Sequence, residues 1–172
     1  KFISSIVFLK NNSLKFTKLP PLKSVNLRLH KNKDWLQIEK MIPKIGTSRI
    51  FYDESIKKKL RENYLKTWIY NFFRGNRADE LSVCVKKGSN EILGFILLRY
   101  EKKVCVFEQL FVSPNARGMG VGGQMILWTN KKFCKGLPVI SGVHSKNPRV
   151  IDLYKSLGYK VINELFYYHL HV

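Results

Sequence analysis

Cysteine is scarce in this chain. Only Cys84, Cys105 and Cys134 occur, an odd number, and no CxxC or Cys/His ligand spacing appears. That argues against a disulfide framework and a structural metal, and makes a reducing cytoplasm the default compartment. Cys84 and Cys105 sit inside apolar strand-like runs, where a thiol behaves as a small core residue. Long apolar runs are also missing, so no segment reads as a membrane span. The opening KFISSIVFLK is too briefly apolar for a signal-peptide core, and the sequence starts at Lys1 instead of Met. Residues 1–24 are therefore set apart as an amino-terminal remnant or extension, and residues 25–172 as one domain. Acidic residues are few: 12 Asp and Glu face 31 Lys and Arg, a formal net charge of +19. Such a balance suits anionic partners, but the basic residues are scattered (Lys57 to Lys59, Lys102 and Lys103, Lys131 and Lys132) and form no long block. A site for phosphorylated ligands on a lysine-rich chain accounts for them, and no nucleic-acid partner is expected.

What is present is globular: 45% hydrophobic and 13% aromatic residues over 172 positions, enough for one domain with a substantial core. SVNLRLH alternates as a strand does. Asp34 is placed to cap a short helix, WLQIEKMI, with Gln37 in the capping-box position. In KKLRENYLKTWIYNFFRG, Leu60, Tyr64, Trp68 and Phe72 recur every fourth residue, flanked by Leu65, Ile69 and Phe73, and predict a long helix stopped at Gly75. LSVCVK and EILGFILLRY read as a hairpin joined by KKGSN, and KKVCVFEQLFV as a third strand. A helix over about 121–133, a strand LPVISGV, a helix opened by Pro148 and a final strand bent near Asn163 complete the chain. This order predicts an α+β fold around one mixed sheet.

Between the third strand and the next helix lies NARGMGVGGQ, with four glycines in seven residues. Glycine weakens both strands and helices, so bare backbone must be needed there. Strand, glycine loop and helix together offer free N–H groups and the positive end of a helix dipole, a cradle for phosphate. A P-loop is excluded because Gly-Lys-Ser/Thr is missing. A GxGxxG dinucleotide fingerprint occurs by letter, yet follows antiparallel strands instead of opening a βαβ unit.

Arg117-Gly118-Met119-Gly120-Val121-Gly122 closely resembles the Q/R-x-x-G-x-G/A signature of the GNAT superfamily of acetyl-CoA-dependent N-acyltransferases. LFVSP precedes it, Asn147 and Tyr154 repeat the family's N-x6-Y spacing, and LGY follows. The resemblance runs from about residue 25 to the end. It implies a mixed sheet splayed between the fourth and fifth strands of the family's fold, flanked by helices, with acetyl-CoA as acyl donor. Amides from Arg117 through Gly118, Met119, Gly120, Val121 and Gly122 to Gly123 would hold the coenzyme's diphosphate. The main chain of Leu110, Phe111 and Val112 would lie beside the thioester, with an N–H near Val112 as oxyanion donor. Asn147 would bind the pantetheine arm, cap its own helix, or do both. Tyr154 would give a proton to the departing thiolate, the alternative being a helical core aromatic.

The other half of the chain is similar to acetyltransferases of 4-amino sugars carried on dTDP, the dTDP-fucosamine type. The shared elements are Arg49, Phe51 and Asp53; Tyr64, Trp68, Ile69, Gly75, Ala78 and Asp79; and the closing Tyr168-His169, with Ile50 intruding between Arg49 and Phe51. The resemblance implies a small-molecule amine acceptor, a sugar nucleotide, and leaves room for a homodimer. Arg49 could pair with its diphosphate, and Tyr52 or Trp68 could stack on the base or sugar, Trp68 also fitting core packing. Glu108, Gln109 and His144 lie next to the expected reaction centre. Glu108 or His144 could take the ammonium proton, and strand alternation would let only one of Glu108 and Gln109 face the acceptor. Two other readings stay open: a GNAT enzyme acting on a peptide or small amine, and a basic nucleic-acid-binding module without catalysis.

Overall fold

The computed structural model describes residues 2–12, 19–45, 53, 55–76 and 79–168. Seven strands form one sheet: β1 (Phe2–Asn11), β2 (Val25–Leu29), β3 (Glu80–Lys86), β4 (Ile92–Glu101), β5 (Val104–Val112), β6 (Val139–His144) and β7 (Lys160–Tyr168). Their spatial order is β2-β3-β4-β5-β6-β1-β7. Every neighbouring pair is antiparallel except β5 and β6. Among the described residues four α-helices cover the sheet: α1 (Trp35–Met41), α2 (Lys58–Phe73), α3 (Val121–Thr129) and α4 (Pro148–Ser156). The expected α+β architecture around a mixed sheet is the one observed.

Two apolar cores fill the two sides of the sheet. One joins Ile38, Ile42, Leu65, Ile69, Phe72 and Phe73 of the α1–α2 segment to Leu81, Val83, Phe95, Leu97 and Phe111. The other joins α3 and α4, through Val121, Met125, Ile126 and Tyr154, to Cys84, Ile96, Cys105, Phe107 and Val139. All three cysteines are free and buried. In α2 the buried stripe is Leu65, Ile69, Phe72 and Phe73, whereas Leu60 and Tyr64 are exposed. The inner face is thus turned about one residue, some 100°, from the four-residue ladder that the sequence suggests. Asp34 also differs from expectation. It makes no side-chain cap for α1; its carboxylate takes two hydrogen bonds from Arg28, at 2.6 and 3.0 Å, and one from the Lys31 N–H. Gln37 instead bridges to the β3–β4 turn, donating to the Asn90 carbonyl and accepting from the Ile92 N–H.

The sequence reading sets residues 1–24 apart from the domain. In the structure Phe2–Asn11 runs as β1 between β6 and β7, paired to both. Leu19 and Leu22 pack against the α3–α4 core, and Gln124 donates to the Pro20 carbonyl. The amino-terminal segment is therefore built into the sheet and against the start of α3. The bend foreseen near Asn163 is a register shift in the β1–β7 ladder, where Phe8 opposes Asn163 and Leu9 opposes Val161.

Candidate active site

β5 and β6 pair in parallel over three positions only, ending at Phe107 and Ser141. Beyond that point β5 continues to Val112 and β6 to His144 without pairing, so the two strands open into a wedge. The edge that β5 turns toward the wedge follows from its other partner. The Ser113 N–H donates to the Leu93 carbonyl at 2.8 Å, which makes the Gly94–Val112 couple a non-hydrogen-bonded pair. The peptide groups of Val112, and two residues earlier of Leu110, therefore point away from β4 and toward the wedge. Those of Phe111 belong to the β4 ladder, and its ring stacks on Phe95 at 5.6 Å. Phe111 lines the site but has no main-chain group to offer a ligand. Gly94 permits this approach, since a Cβ there would collide with the Phe111 carbonyl, and sequence reasoning passed over it.

After β5 the chain makes a short turn at Pro114–Ala116 and enters the glycine loop. Gly118 (φ 81°) and Gly120 (φ 78°) adopt left-handed conformations that suit only glycine. Gly120 is the N-cap of α3, and its carbonyl accepts the Gln124 N–H. The amides of Val121, Gly122 and Gly123 are thus first-turn donors that precede the helical ladder. Gly123 has a packing reason as well, because a Cβ there would lie 2.7 Å from Leu19. Met119 turns its side chain to solvent, so any contribution from it is made by its backbone.

A cavity of about 460 Å³ runs from this loop along β5. Of the expected residues, Leu110, Phe111, Val112, Arg117, Gly118, Gly120, Val121, Gly122, Gly123 and Asn147 line it. So do Lys44, Ile45, Arg149, Val150 and Leu153, which sequence reasoning did not single out. Among the described residues three cations and no carboxylate border the cavity, a lining suited to phosphates. Lys44 comes from the turn after α1, distant in sequence, and only the fold could reveal it. Arg149 could have been found, standing two residues after Asn147 on the first turn of α4.

A smaller cavity, about 70 Å³, occupies the wedge and shares Leu110, Asn147 and Val150 with the first. It is lined also by Phe107, Glu108, Gln109, Ser141, His144 and Tyr154. Both Glu108 and Gln109 reach it, against the alternation expected. The cause is a β-bulge: Leu98 opposes Phe107 and Leu97 opposes Gln109, so Glu108 is an extra residue. Glu108 takes a hydrogen bond of 2.6 Å from Arg99 Nε. His144 is buried; burial, then Lys146, lower its pKa, so it is neutral near pH 7. Its Nδ1 accepts the Lys146 N–H at 3.1 Å, which places the ring proton on Nε2. In that tautomer Nε2 carries the hydrogen and has no lone pair with which to take an ammonium proton.

Tyr154 is buried with its phenol 3.0 Å from Ser141 Oγ. Burial pushes its pKa up to about 12, against a smaller lowering by Ser141. The LGY run explains its rigidity. Gly158 (φ 87°) ends α4, the Tyr159 N–H returns to the Tyr154 carbonyl, and the two rings meet edge to face at 4.9 Å. Asn147 does not cap α4 with its side chain. Its carbonyl accepts from Val150 and Ile151, and it lines both cavities. Trp68 packs edge to face with Phe72 at 5.1 Å against the α2 core, and lines neither cavity. Arg49 and Tyr52, with Phe51, Ala78 and His169 of the sugar-nucleotide pattern, lie outside the described residues. Among the described residues no group of three His, Cys, Asp or Glu could hold a metal, and no helix is long and apolar enough to cross a membrane.

The splayed strands, the left-handed glycines and the cation-lined cavity define a GNAT acyltransferase fold. Residues 78–161 match the family described as Acetyltransferase (GNAT) domain. A GNAT-family acetyltransferase from Colwellia psychrerythraea superposes with a TM-score of 0.65 at 16% identity, over 96% of this chain and 55% of that one. An integron cassette protein from the mobile metagenome of V. cholerae gives 0.61 at 22% identity, over 88% and 94%. In sequence, the spore coat polysaccharide biosynthesis protein SpsD of Bacillus subtilis (strain 168) is 23% identical over 125 residues, 72% of this chain. The chain spans 42% of the length of that relative.

Proposed function

We propose that this chain transfers an acetyl group from acetyl-CoA to a primary amine, the 4-amino group of a nucleotide-linked sugar such as a dTDP sugar. The observation that carries the transfer is the continuity of the two cavities: phosphate-binding amides and cations at one end, an open strand edge between, and a buried phenol at the other. The backbone of the glycine loop, with Lys44, Arg117 and Arg149 around it, would hold the coenzyme's phosphates. The Val112 N–H on the β5 edge would pair with its amide-bearing arm, the Val112 and Leu110 carbonyls already accepting from Arg117 Nε and Gln109 Nε2. Leu110 borders the wedge and Val112 does not, so the oxyanion donor moves from Val112, the sequence expectation, to the Leu110 N–H.

When the amine attacks, its lone pair forms the C–N bond and the C–S bond breaks, its electron pair leaving on sulfur. Tyr154 gives the phenol proton to that sulfur. Glu108, the one carboxylate bordering the wedge among the described residues, draws in the ammonium form of the acceptor and receives its proton. Holding both reactants together supplies much of the acceleration. Support for a sugar acceptor comes from the resemblance of residues 47–169 and from a relative whose printed role is polysaccharide biosynthesis. Buried free thiols and a supply of acetyl-CoA fit the cytoplasm.

Mass spectrometry of dTDP-4-amino sugars incubated with enzyme and acetyl-CoA tests this directly. The expected product is heavier by one acetyl group. Acetylation of peptides or polyamines, with every sugar nucleotide untouched, would remove the sugar reading and keep the transferase.

A further inference from the structure

Tyr154 can donate to a departing sulfur only if its own hydrogen points there. The phenol has a single neighbour hydroxyl, Ser141 Oγ at 3.0 Å, among the hydrogen bonds of the described residues. Two arrangements are open to such a pair. If the phenol donates to Ser141, the serine passes its hydrogen to the Phe107 carbonyl, and the tyrosine has nothing to give. If Ser141 donates to the phenol oxygen, the phenol hydrogen is turned outward. The Ser141–Phe107 carbonyl distance is 3.4 Å, at the weak limit of a hydrogen bond, whereas the Ser141–Tyr154 contact is well inside it. Both side chains are buried, so solvent does not compete for the serine hydrogen. They also border the wedge together, at the last paired position of β5 and β6.

We infer that Ser141 is a positioning residue: its hydroxyl donates to the Tyr154 oxygen, aims the phenol hydrogen into the wedge, and stabilises the phenolate left after proton transfer. This rests on the transferase reading of the wedge. The atoms balance simply. The phenol O–H bond breaks, its proton joins the sulfur that has taken the C–S electron pair, and the phenolate, held by the Ser141 O–H, recovers a proton from water that enters the wedge once the products have left. A hydrogen bond to a charged group is stronger than one to a neutral group, so the Ser141 contact gains strength as the proton leaves.

The test needs a readout besides turnover. Full-length wild type, Ser141→Ala, Tyr154→Phe and the double variant are titrated with CoA, using desulfo-CoA as the blank. The thiolate absorbance of the bound coenzyme is followed against pH. A phenol hydrogen aimed at sulfur favours the thiolate, so the bound thiol's pKa in wild type should fall by about one unit. Ser141→Ala should abolish about half of that fall, Tyr154→Phe all of it, and the double variant should match Tyr154→Phe. With a working amine, kcat should fall about tenfold in Ser141→Ala, the scale of a charge-assisted hydrogen bond, while the affinity for desulfo-CoA stays unchanged. On the Tyr154→Phe background the same serine change should cost nothing further. A merely structural serine would weaken both backgrounds alike and lower desulfo-CoA affinity, and that pattern overturns the inference. An unshifted thiol in Ser141→Ala relative to wild type overturns it too. If the coenzyme binds but no amine is acetylated, the acceptor reading fails while the thiol titration still decides the serine. If CoA does not bind, both fall.

Discussion

His144 and Tyr154 occupy the same wedge, yet burial acts on them in opposite ways: it keeps the imidazole neutral and keeps the phenol protonated. For His144 the pKa in the folded state lies below that of the unfolded chain, about 6.5 for a free imidazole. Between the two values the unfolded chain binds the extra proton, so stability rises with pH. The contribution is complete above about pH 6.5 and declines as the pH drops toward the lowered value. Thermal unfolding scanned from pH 8 to 5 should show the melting temperature falling below about 6.5, and His144→Asn should flatten that fall. Tyr154, with its pKa pushed up to about 12, remains protonated through the whole working range. Tyr154→Phe should lower kcat about a hundredfold, the low end for loss of a general acid, with little change in KM for acetyl-CoA. Steady-state kinetics at saturating amine checks it. The spacing from Asn147 to Tyr154 marks this residue in the sequence, and the fold brings it to the border of the wedge. Ser141 was not, because a serine within a short apolar strand carries no pattern, and only the meeting of β6 with α4 gives it a partner.

At the scale of elements, the glycine loop shows a backbone requirement in its letters and hides a packing one. Gly118 and Gly120 need left-handed torsions, which a glycine-rich run announces, but Gly123 answers to Leu19, about a hundred positions away. A β-carbon at Gly120 meets only Leu22 at 3.8 Å, so the penalty for Gly120→Ala is torsional, about 1 kcal/mol. It should weaken CoA binding more than tenfold by tilting the amides, with a melting temperature lowered by only a few degrees. Gly94→Ala should behave differently. Its β-carbon would strike the Phe111 carbonyl, so β4 and β5 must shift, and the loss should appear as unfolding before it appears as weaker binding. Comparing melting curves with binding isotherms separates the two. The α2 stripe was misplaced by one residue because Leu60, Tyr64, Leu65 and Trp68 are all apolar enough to fit either face, and the sheet decides between them. The bulge at Glu108 was hidden likewise: an extra residue leaves the letters of a strand unchanged and alters only what they face.

Across the whole molecule, β1 links the ends of the chain by filling the gap between β6 and β7. Deleting residues 1–12 would strip both of their ladder partner and expose Leu9 and Val7 contacts of the α3–α4 core. Circular dichroism of the shortened chain should show loss of cooperative unfolding, whereas an independent extension would leave it intact. The net charge of +19 acquires a local meaning where Lys44, Arg117 and Arg149 border one cavity. CoA affinity should therefore fall as salt is raised from 50 to 500 mM, since screening weakens exposed pairs. The central claim is that the amides around Gly120 and the open β5 edge receive a coenzyme's phosphates and arm. Calorimetric titration of CoA into the wild-type chain tests it most directly. The account predicts one-to-one binding with measurable heat, weakened more than tenfold in Gly120→Ala at unchanged fold. No heat with the folded wild type, or equal affinity in the two proteins, would contradict it.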